Sequence, residues 1–405
     1  FPTLQDYRYC SKLGTFRERF QAWGATRISR HNIAKNEQSR QKRFKAIRER
    51  IDENAASAQR RATIVHMSFF ELKEALQKDE VSATEALDAY VWKAFDVHQK
   101  TNAIIEFIDE AFEQARHLDE RWRGKHDKPP LFGLPFSVKG NFFVKGYDCS
   151  IGLAKNLFEP KQSECTLVTH LRDQGAVPFV LTNVPQALLS FVCSNPVYGT
   201  TTHPNDSKRT PGGSSGGEAA LLACGGCVFG TGSDLAGSLR IPASMLVVEN
   251  AHGGLPGKAR LGLGYGFLTK SVDDLKFLLG NVVGSVSYWK LVPKSVPLPL
   301  ATNRIDELRK KKLRIGYFFD DGFMKPVPAC ERGVRETVDK LRKAGHELVL
   351  FHVPHPNHAA SLFYKNILPD RGEYTQQLYG NEVITPYLKR FVMMLKVCLR
   401  FDVAV

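Results

Sequence analysis

The sequence predicts an α/β protein whose β-sheet is covered by helices on both faces. Two observations predict this fold class. The apolar runs at 133–138 and 176–181 are continuous rather than alternating, which is typical of strands buried on both sides. A helical stretch at 165–173 separates them, and buried strands that alternate with helices indicate a sheet between helical layers.

The other elements follow from local patterns along the chain. Phe69, Leu72 and Leu76 are spaced along one helix face. Ser82 and Glu85 form the S-x-x-E pattern of a capping box, which predicts the start of another helix. The remaining predicted elements are, in order, a strand at 103–108, a helix at 109–124, and a second β-α-β unit made of a strand at 313–319, a helix at 328–344 and a strand at 346–351.

The composition is that of an ordinary globular protein, with 43% hydrophobic and 24% charged residues. Eight cysteines are scattered without the spacing of a disulfide framework, so we expect a reducing compartment. The net charge is +14, and a basic run at 39–50 predicts attraction to an anionic surface. A solvated helix face is the alternative for that run. No aromatic stacking pattern or reader motif accompanies it, so nucleic acid is not a predicted partner.

A Gly/Ser-rich stretch at 211–242 carries the candidate chemistry. It contains PGGSSGG at 211–217 and GTGSDLAGS at 230–238, on either side of a short apolar run. Paired glycine-rich turns allow main-chain N–H groups and small hydroxyls to converge. Ser214 and Ser238 can then meet at the two ends of a helix–strand unit, and Lys139 is the candidate base. Two serines, converging amides and a base predict an acyl-transfer site.

Other interpretations of these residues fit less well. A phosphate-binding Walker loop needs Lys-Ser or Lys-Thr after its glycines, and neither follows here. Residues 212–216 match the hydrolase elbow G-x-S-x-G, but a turn-rich loop precedes them instead of the required strand. Cys224 and Cys227 form a C-x-x-C pair without further ligands nearby, so no metal site is predicted. No motif links a serine to any histidine that a Ser-His-Asp triad would need: His170, His203 or His252.

The combination of PGGSSGG, GSDLAGSLRIP and an upstream lysine is specific to the amidase signature family, which this sequence resembles over residues 67–397. The resemblance implies a mixed β-sheet core between helices, in a domain covering residues 63–405. A basic helical extension at 1–62 precedes that domain. Because family chains continue past the point that matches Val405, we expect the fold to be incomplete at the C-terminus.

The resemblance implies a Ser-Ser-Lys triad in which Ser238 is the nucleophile, Ser214 relays the proton and Lys139 is the base. A serine hydroxyl is a weak nucleophile until a base removes its proton, and a lysine is a base only when its amine is neutral. The resemblance also assigns an oxyanion hole to the main-chain N–H groups of Leu235, Ala236, Gly237 and Ser238, and supporting roles to Ser215, Asp234 and Arg240. Leu188 matches a family position beside the catalytic serine. Leu189 and Phe191 lie near the proposed site and are expected to line an acyl channel, so these three residues are the predicted substrate-binding set.

The implied function is that of a serine hydrolase that cleaves fatty-acid amides to fatty acid and amine, without metal or organic cofactor. Two alternatives stay open. One is an amidase acting on small or aryl amides. The other is a truncated, inactive paralogue that binds lipid or dimerises. This alternative rests on the expectation that the fold is incomplete at the C-terminus and on a segment after Pro242 that is shorter than in the family. Core packing is the alternative role for Leu189 and Phe191.

Residues 386–400 combine bulky apolar and basic side chains, so they predict a helix that lies in a membrane interface. An ordinary amphipathic core helix is the alternative. No run reaches the roughly 18 to 20 apolar residues of a membrane-spanning helix, although an anchor before Phe1 stays open. We therefore expect a membrane-associated protein on the cytoplasmic face of endomembranes. Its expected partners are a lipid amide substrate, the membrane surface and a second copy of the chain in a homodimer.

Overall fold

The computed structural model describes residues 16–53, 58–239, 245–247, 263–293, 300–367, 370, 372–380, 382–386 and 388–389. Its helices are α1 (Phe16–Glu53), α2 (Ala58–His66), α3 (Phe69–Gln77), α4 (Ala83–Thr101), α5 (Glu110–Trp122), α6 (Thr166–Asp173), α7 (Gly216–Ala223), α8 (Val272–Val283), α9 (Val286–Leu291), α10 (Thr302–Arg309), α11 (Pro328–Lys343), α12 (Pro356–Ile367) and α13 (Glu373–Tyr379). Its strands are β1 (Ile104–Phe107), β2 (Pro135–Lys139), β3 (Val177–Thr182), β4 (Ser194–Asn195), β5 (Gly199–Thr200), β6 (Phe229–Asp234), β7 (Met245–Val247), β8 (Gly264–Leu268), β9 (Arg314–Tyr317) and β10 (Glu347–Leu350).

A six-stranded mixed sheet forms the centre of the fold, in the order β1-β3-β2-β6-β8-β7. The middle strands β3, β2 and β6 are parallel to one another, whereas β1, β8 and β7 pair antiparallel with their neighbours. Every residue of the three middle strands is buried. Strands buried along their whole length are covered on both faces of the sheet. The predicted α/β class with a mixed sheet is confirmed.

The local patterns located the elements well. The capping box is present at the start of α4, where Ser82 Oγ accepts from the Glu85 N–H at 3.0 Å and the Glu85 carboxylate accepts from the Ser82 N–H at 2.9 Å. The two apolar runs form β2 and β3, with α6 between them. The second β-α-β unit is β9-α11-β10, and its two strands pair in parallel. These predictions are confirmed.

Parallel pairing brings the carboxyl ends of β2 and β6 to one edge of the sheet. β2 ends at Lys139 and β6 ends at Asp234. The main-chain N–H of Lys139 donates to the Thr231 hydroxyl at 3.0 Å, which ties the end of β2 to β6. The helix α7 starts directly after Ser214 and Ser215 and leads into β6. The predicted helix–strand unit is thus α7 and β6, next to the end of β2.

The predicted N-terminal extension is helical where it is described, and it packs onto the rest of the fold. Ile47 and Ile51 of α1 belong to the main apolar core. The Arg40 guanidinium donates to the main-chain oxygens of Ile104 and Ile105 at 2.8 and 3.0 Å. The boundary predicted between residues 62 and 63 falls inside α2, and the division into an extension and an amidase signature domain stays a prediction.

The C-terminal prediction falls mostly outside the described residues. Residues 390–405 are not described, so the amphipathic helix predicted at 386–400 stays a prediction. Of the segment between Pro242 and the start of β8, the described part includes β7. Among the helices of the described ranges, none combines the length and the apolar character needed to cross a membrane.

Candidate active site

Lys139 lies at the centre of the candidate site, and its side chain is completely buried. Its Nζ is 2.8 Å from Ser214 Oγ, 2.9 Å from Ser233 Oγ and 3.2 Å from the Ser233 main-chain oxygen. Asn141 Nδ2 donates to the same Ser233 hydroxyl at 3.2 Å. The end of β2, the end of β6 and the segment before α7 therefore hold one amine in place. Two members of the predicted triad, Lys139 and Ser214, are in hydrogen-bond contact.

The surroundings of this amine favour its neutral form. Burial lowers the pKa of Lys139 to about 7, because a buried cation loses its hydration. The Glu218 carboxyl, the Cys193 thiol and the Asp234 carboxyl act in the opposite direction. Only the neutral amine can accept a proton, and the lowered pKa makes that form accessible near neutral pH.

The N-terminus of α7 connects this amine to the loop that carries Ser238. The Gly213–Ser214 peptide bond is cis, and the Ser214 side chain is buried. Ser215 occupies the N-cap position of α7. Its hydroxyl donates to the main-chain oxygen of Ser238 at 2.7 Å. Ser215 thus lies between the helix that follows Ser214 and the loop at 234–239.

Asp234 shapes that loop. Its Oδ1 accepts from the Gly237 N–H at 2.7 Å, and its Oδ2 accepts from the Leu239 N–H at 2.9 Å. Charge-assisted hydrogen bonds of this kind hold a turn firmly. Of the four predicted oxyanion donors, the Gly237 N–H is therefore already used in a hydrogen bond to Asp234. The other three predicted donors are the N–H groups of Leu235, Ala236 and Ser238. Arg240, the other predicted supporting residue of the loop, lies outside the described residues.

Ser238 is partly exposed, which agrees with its predicted role as the attacking residue. Among the described contacts, no hydrogen bond joins the Ser238 hydroxyl to the Ser214 hydroxyl. In this structure a hydrogen bond therefore connects the first step of the predicted proton path, between Lys139 and Ser214. The second step, between Ser214 and Ser238, has no hydrogen bond among the described contacts. Catalytic hydrogen bonds are often long in unliganded sites and tighten when substrate binds.

A second buried acid–base group lies beside the triad. Glu218, in the first turn of α7, is fully buried and accepts a hydrogen bond from the Ser137 hydroxyl of β2. Burial raises the pKa of Glu218 to about 8, although the bond from Ser137 opposes the rise. Its Oε1 has no hydrogen-bond partner among the described residues. A neutral carboxylic acid tolerates such a position far better than a carboxylate does.

The residues predicted to bind an acyl chain lie on a loop next to the triad. Leu189 and Phe191 are 37% and 56% exposed, which argues against the core-packing alternative for both side chains. Leu188 is half-buried and adopts a left-handed backbone conformation, with a φ of 64°. A Cβ on Gly213 would lie 2.7 Å from the Ser190 main-chain oxygen, so this loop contacts the residue before Ser214.

The histidines occupy other environments. His170 Nε2 lies 3.1 Å from the Asn281 main-chain oxygen, and its ring packs edge-on against Tyr288. His203 Nδ1 accepts from the Asn205 N–H at 3.2 Å. Within the described contacts neither ring bonds to a serine, which agrees with the preference for lysine as the base. His252 lies outside the described residues.

The chain is similar to named amidases both in sequence and in fold. The family model described as Amidase matches residues 85–397. The chain is 38% identical to fatty acid amide hydrolase 1 of Caenorhabditis elegans over 344 residues, which are 82% of this chain and 60% of that relative. It is 37% identical to acetamidase of Emericella nidulans over 302 residues, which are 70% of this chain and 55% of the relative. A solved structure of fatty acid amide hydrolase matches with a TM-score of 0.73 and 25% identity, covering 92% of this chain and 69% of that one.

The chain belongs to the amidase signature family. The family resemblance inferred from the motifs is thereby confirmed. The chain spans 60% and 55% of the length of these two curated relatives.

Two polar residues of the amidase signature site were missed at the sequence level. Ser233 contacts the Lys139 amine directly, and Asn141 bonds to Ser233. A signal for Ser233 existed, because Thr231 and Ser233 are two residues apart on one strand and so point to the same side. That side faces Lys139, as the contacts of both hydroxyls demonstrate. Asn141 follows the strand end by two residues, and no local pattern predicted its contact.

Proposed function

We propose that this chain carries the catalytic apparatus of a serine hydrolase that cleaves fatty-acid amides to fatty acid and amine. The observation that carries the proposal is the completely buried Lys139 amine, 2.8 Å from Ser214 Oγ. A lysine in that setting is suited to remove a proton from a hydroxyl, not to carry a permanent charge. A relative at 38% identity is named as a fatty acid amide hydrolase, which supports the substrate class.

In the proposed reaction, Ser238 Oγ attacks the amide carbonyl carbon. The Ser238 proton passes to Ser214 Oγ, and the Ser214 proton passes to neutral Lys139. Main-chain N–H groups of Leu235, Ala236 and Ser238 stabilise the oxyanion, a contribution worth about 3 kcal/mol for one donor. The C–N bond then breaks, and the leaving nitrogen receives a proton from Lys139 through Ser214. Water attacks the acyl-Ser238 ester along the same proton path, releasing the acid and restoring Ser238.

Covalent labelling tests this assignment. A fluorophosphonate probe should add one phosphonyl group to the chain, located on Ser238 by peptide mass spectrometry. Ser238→Ala should abolish labelling, and Lys139→Ala should lower the labelling rate by about 10² to 10⁴, the range for losing a positioned base. Ser207→Ala, an exposed serine, is the matched control and should label as the unsubstituted chain does. Thermal unfolding of each variant verifies that it folds. Full labelling of Ser238→Ala would refute the nucleophile assignment.

The acyl preference is a separate question, since another relative at 37% identity is named acetamidase. The exposed Leu189 and Phe191 beside the triad favour an apolar acyl chain, because burying their surface is favourable by about 25 cal/mol per Å². Turnover of oleamide and acetamide, each with and without lipid vesicles, separates the two substrate classes. A preference for acetamide under both conditions would select the small-amide alternative.

Membrane association and a homodimer complete the proposal. Exposed basic residues on α1, including Arg30 and Lys42, support attraction to an anionic surface. Sedimentation with anionic and with neutral vesicles measures the first property, and light scattering measures the second. If the chain attaches to the cytoplasmic face of endomembranes, it should be recovered in the endomembrane fraction after cells are fractionated.

A further inference from the structure

Residues in the segment that follows α12 form hydrogen bonds with Gln186, the first residue of the loop at 186–191. Gln186 is fully buried. Its Nε2 donates to the Val383 main-chain oxygen at 2.8 Å, and its Oε1 accepts from the Thr385 N–H at 3.1 Å. The Tyr379 hydroxyl donates to the Gln186 main-chain oxygen at 3.1 Å. Three groups of one residue are thus bonded to a segment about 200 residues further along the sequence.

Glu382 fixes the same segment a second time. Its carboxylate accepts from the Ala154 and Lys155 N–H groups, each at 2.9 Å, at the start of a single 3₁₀ turn. Lys155 Nζ donates to the Leu378 main-chain oxygen at 2.7 Å. A small apolar cluster lies between the two regions, formed by Leu153, Ala187, Tyr379 and Leu388. Charge-assisted bonds and buried apolar contacts together make this a built attachment rather than a loose contact.

The loop being held has an unfavourable backbone conformation. Ala187 and Leu188 have φ values of 52° and 64°, in the left-handed region that residues with a Cβ adopt at a cost. Such a conformation persists only where surrounding contacts enforce it. The Ala187 N–H bonds to the Ile151 main-chain oxygen at 2.8 Å, and Gln186 bonds to the C-terminal segment.

The other end of this loop contacts Gly213, the residue before Ser214. The Ser190 main-chain oxygen leaves no space for a side chain on Gly213. The Thr210 hydroxyl donates to the Phe191 main-chain oxygen at 3.2 Å. Leu189 and Phe191 belong to this part of the loop and expose their side chains. The contacts therefore run continuously from residues 378–388 through the 186–191 loop to the residue before Ser214.

We propose that the described residues among 378–388, which are 378–380, 382–386 and 388, act as a latch that fixes the 186–191 loop. Gln186 and Glu382 are then positioning residues for the acyl chain of the substrate. The inference rests on the proposed function, since it assigns the exposed side chains of this loop to acyl binding. The latch determines the positions of the Leu189 and Phe191 side chains relative to Ser214. It takes no part in moving protons, so losing it affects long acyl chains and spares small amides.

The experiment compares Gln186→Met, which keeps the shape but removes both side-chain bonds, with Glu382→Gln, which removes the charge. Glu373→Gln makes the same change at an exposed position of α13 and is the matched control. We expect both latch variants to raise KM for oleamide about tenfold, as for the loss of a buried hydrogen bond. We also expect the kcat for oleamide, and both kcat and KM for acetamide, to stay within twofold of the values of the unsubstituted chain. The control should match the unsubstituted chain.

Two further readouts do not depend on turnover and are measured in a Ser238→Ala background. Amide hydrogen exchange at residues 186–192 should be faster in both latch variants, and the Kd of a fluorescent long-chain amide should rise about tenfold. Unchanged exchange would overturn the latch. Faster exchange with an unchanged Kd would overturn its role in acyl binding. If probe labelling of Ser238 fails in the unsubstituted chain, the hydrolase assignment falls while these two readouts still decide the latch.

Discussion

The behaviour of the site depends first on the protonation of one residue. Lys139 would be a cation in water, with a pKa near 10.4. Complete burial lowers its pKa to about 7, and the remaining polar contacts come from hydroxyls and a main-chain oxygen, not from a carboxylate. The site therefore supplies hydrogen-bond partners to the amine without fixing its charge. This is the condition under which a lysine can act as a base.

The first prediction concerns pH. The reactive form of Lys139 is neutral, so kcat/KM should rise about tenfold per pH unit below pH 7 and level off above pH 8. The stability effect has a definite sign as well. The folded pKa lies below the unfolded one, so the folded chain gains stability as pH rises from 7 to 10. Lys139→Met removes this dependence, and its gain in unfolding free energy should be largest near pH 7 and shrink towards pH 9.

Urea unfolding of both chains at pH 7, 8 and 9 measures that gain. Lys340→Met on the surface of α11 serves as the control and should show no such trend. A gain that stays constant between pH 7 and pH 9 would show that the folded amine keeps its ordinary pKa.

Among the elements, the packing of α7 against β2 and β6 determines where Ser214 and Ser215 lie relative to Lys139. Glu218 of α7 lies against Ser137 of β2 and against Gly230 of β6. A Cβ at residue 230 would lie 1.9 Å from Glu218 Oε2 and 2.8 Å from Ser137 Oγ. The helix approaches the sheet closely because this strand position has no side chain. The close approach in turn holds Ser214 and Ser215 near the end of β2.

Gly230→Ala should therefore force α7 away from the sheet. We expect a loss of about 1 to 3 kcal/mol in unfolding free energy, the usual range for overpacking, together with slower fluorophosphonate labelling of Ser238. Gly280→Ala is the matched control, because a Cβ there meets no atom within 4 Å and the residue lies inside α8. That change should stabilise the chain by about 0.5 to 1 kcal/mol. Equal effects of the two substitutions on labelling would contradict the packing argument.

At the scale of the whole molecule, the N-terminal helices are joined to the core by a buried ion pair. Arg61 of α2 donates to Asp88 of α4 at 2.6 and 3.3 Å, and to the Ile51 main-chain oxygen of α1 at 2.7 Å. Both charged side chains are nearly fully buried. One guanidinium thus connects three helices, so the basic N-terminal region is part of the folded body. Its exposed face is free to carry the positive charge.

Asp88→Asn should destabilise the chain by about 3 to 5 kcal/mol, because it removes the carboxylate charge that faces the buried Arg61 guanidinium. Asp52→Asn is the matched control, since Asp52 pairs with Arg48 at the surface. Exposed pairs contribute about 0 to 1 kcal/mol. Denaturant unfolding of both variants gives the comparison. Losses of similar size would mean that α1 and α2 contribute little to the cooperative unit.

Local sequence patterns determined the α/β class, the position of most elements and three residues proposed as the triad. The fold class and the elements were found because helix periodicity, capping boxes and apolar strands act over a few neighbouring residues. Lys139, Ser214 and Ser238 were named from motifs that resemble the amidase signature, and their roles stay a prediction. The tertiary structure decided what those patterns could not. Burial of the Lys139 amine, its contacts with Ser233 and Asn141, the position of Glu218 and the bonds of Gln186 all join residues far apart in sequence. Desolvation and packing depend on every neighbour in space, so only the folded chain fixes the charge of the base and the conformation of the loop beside it.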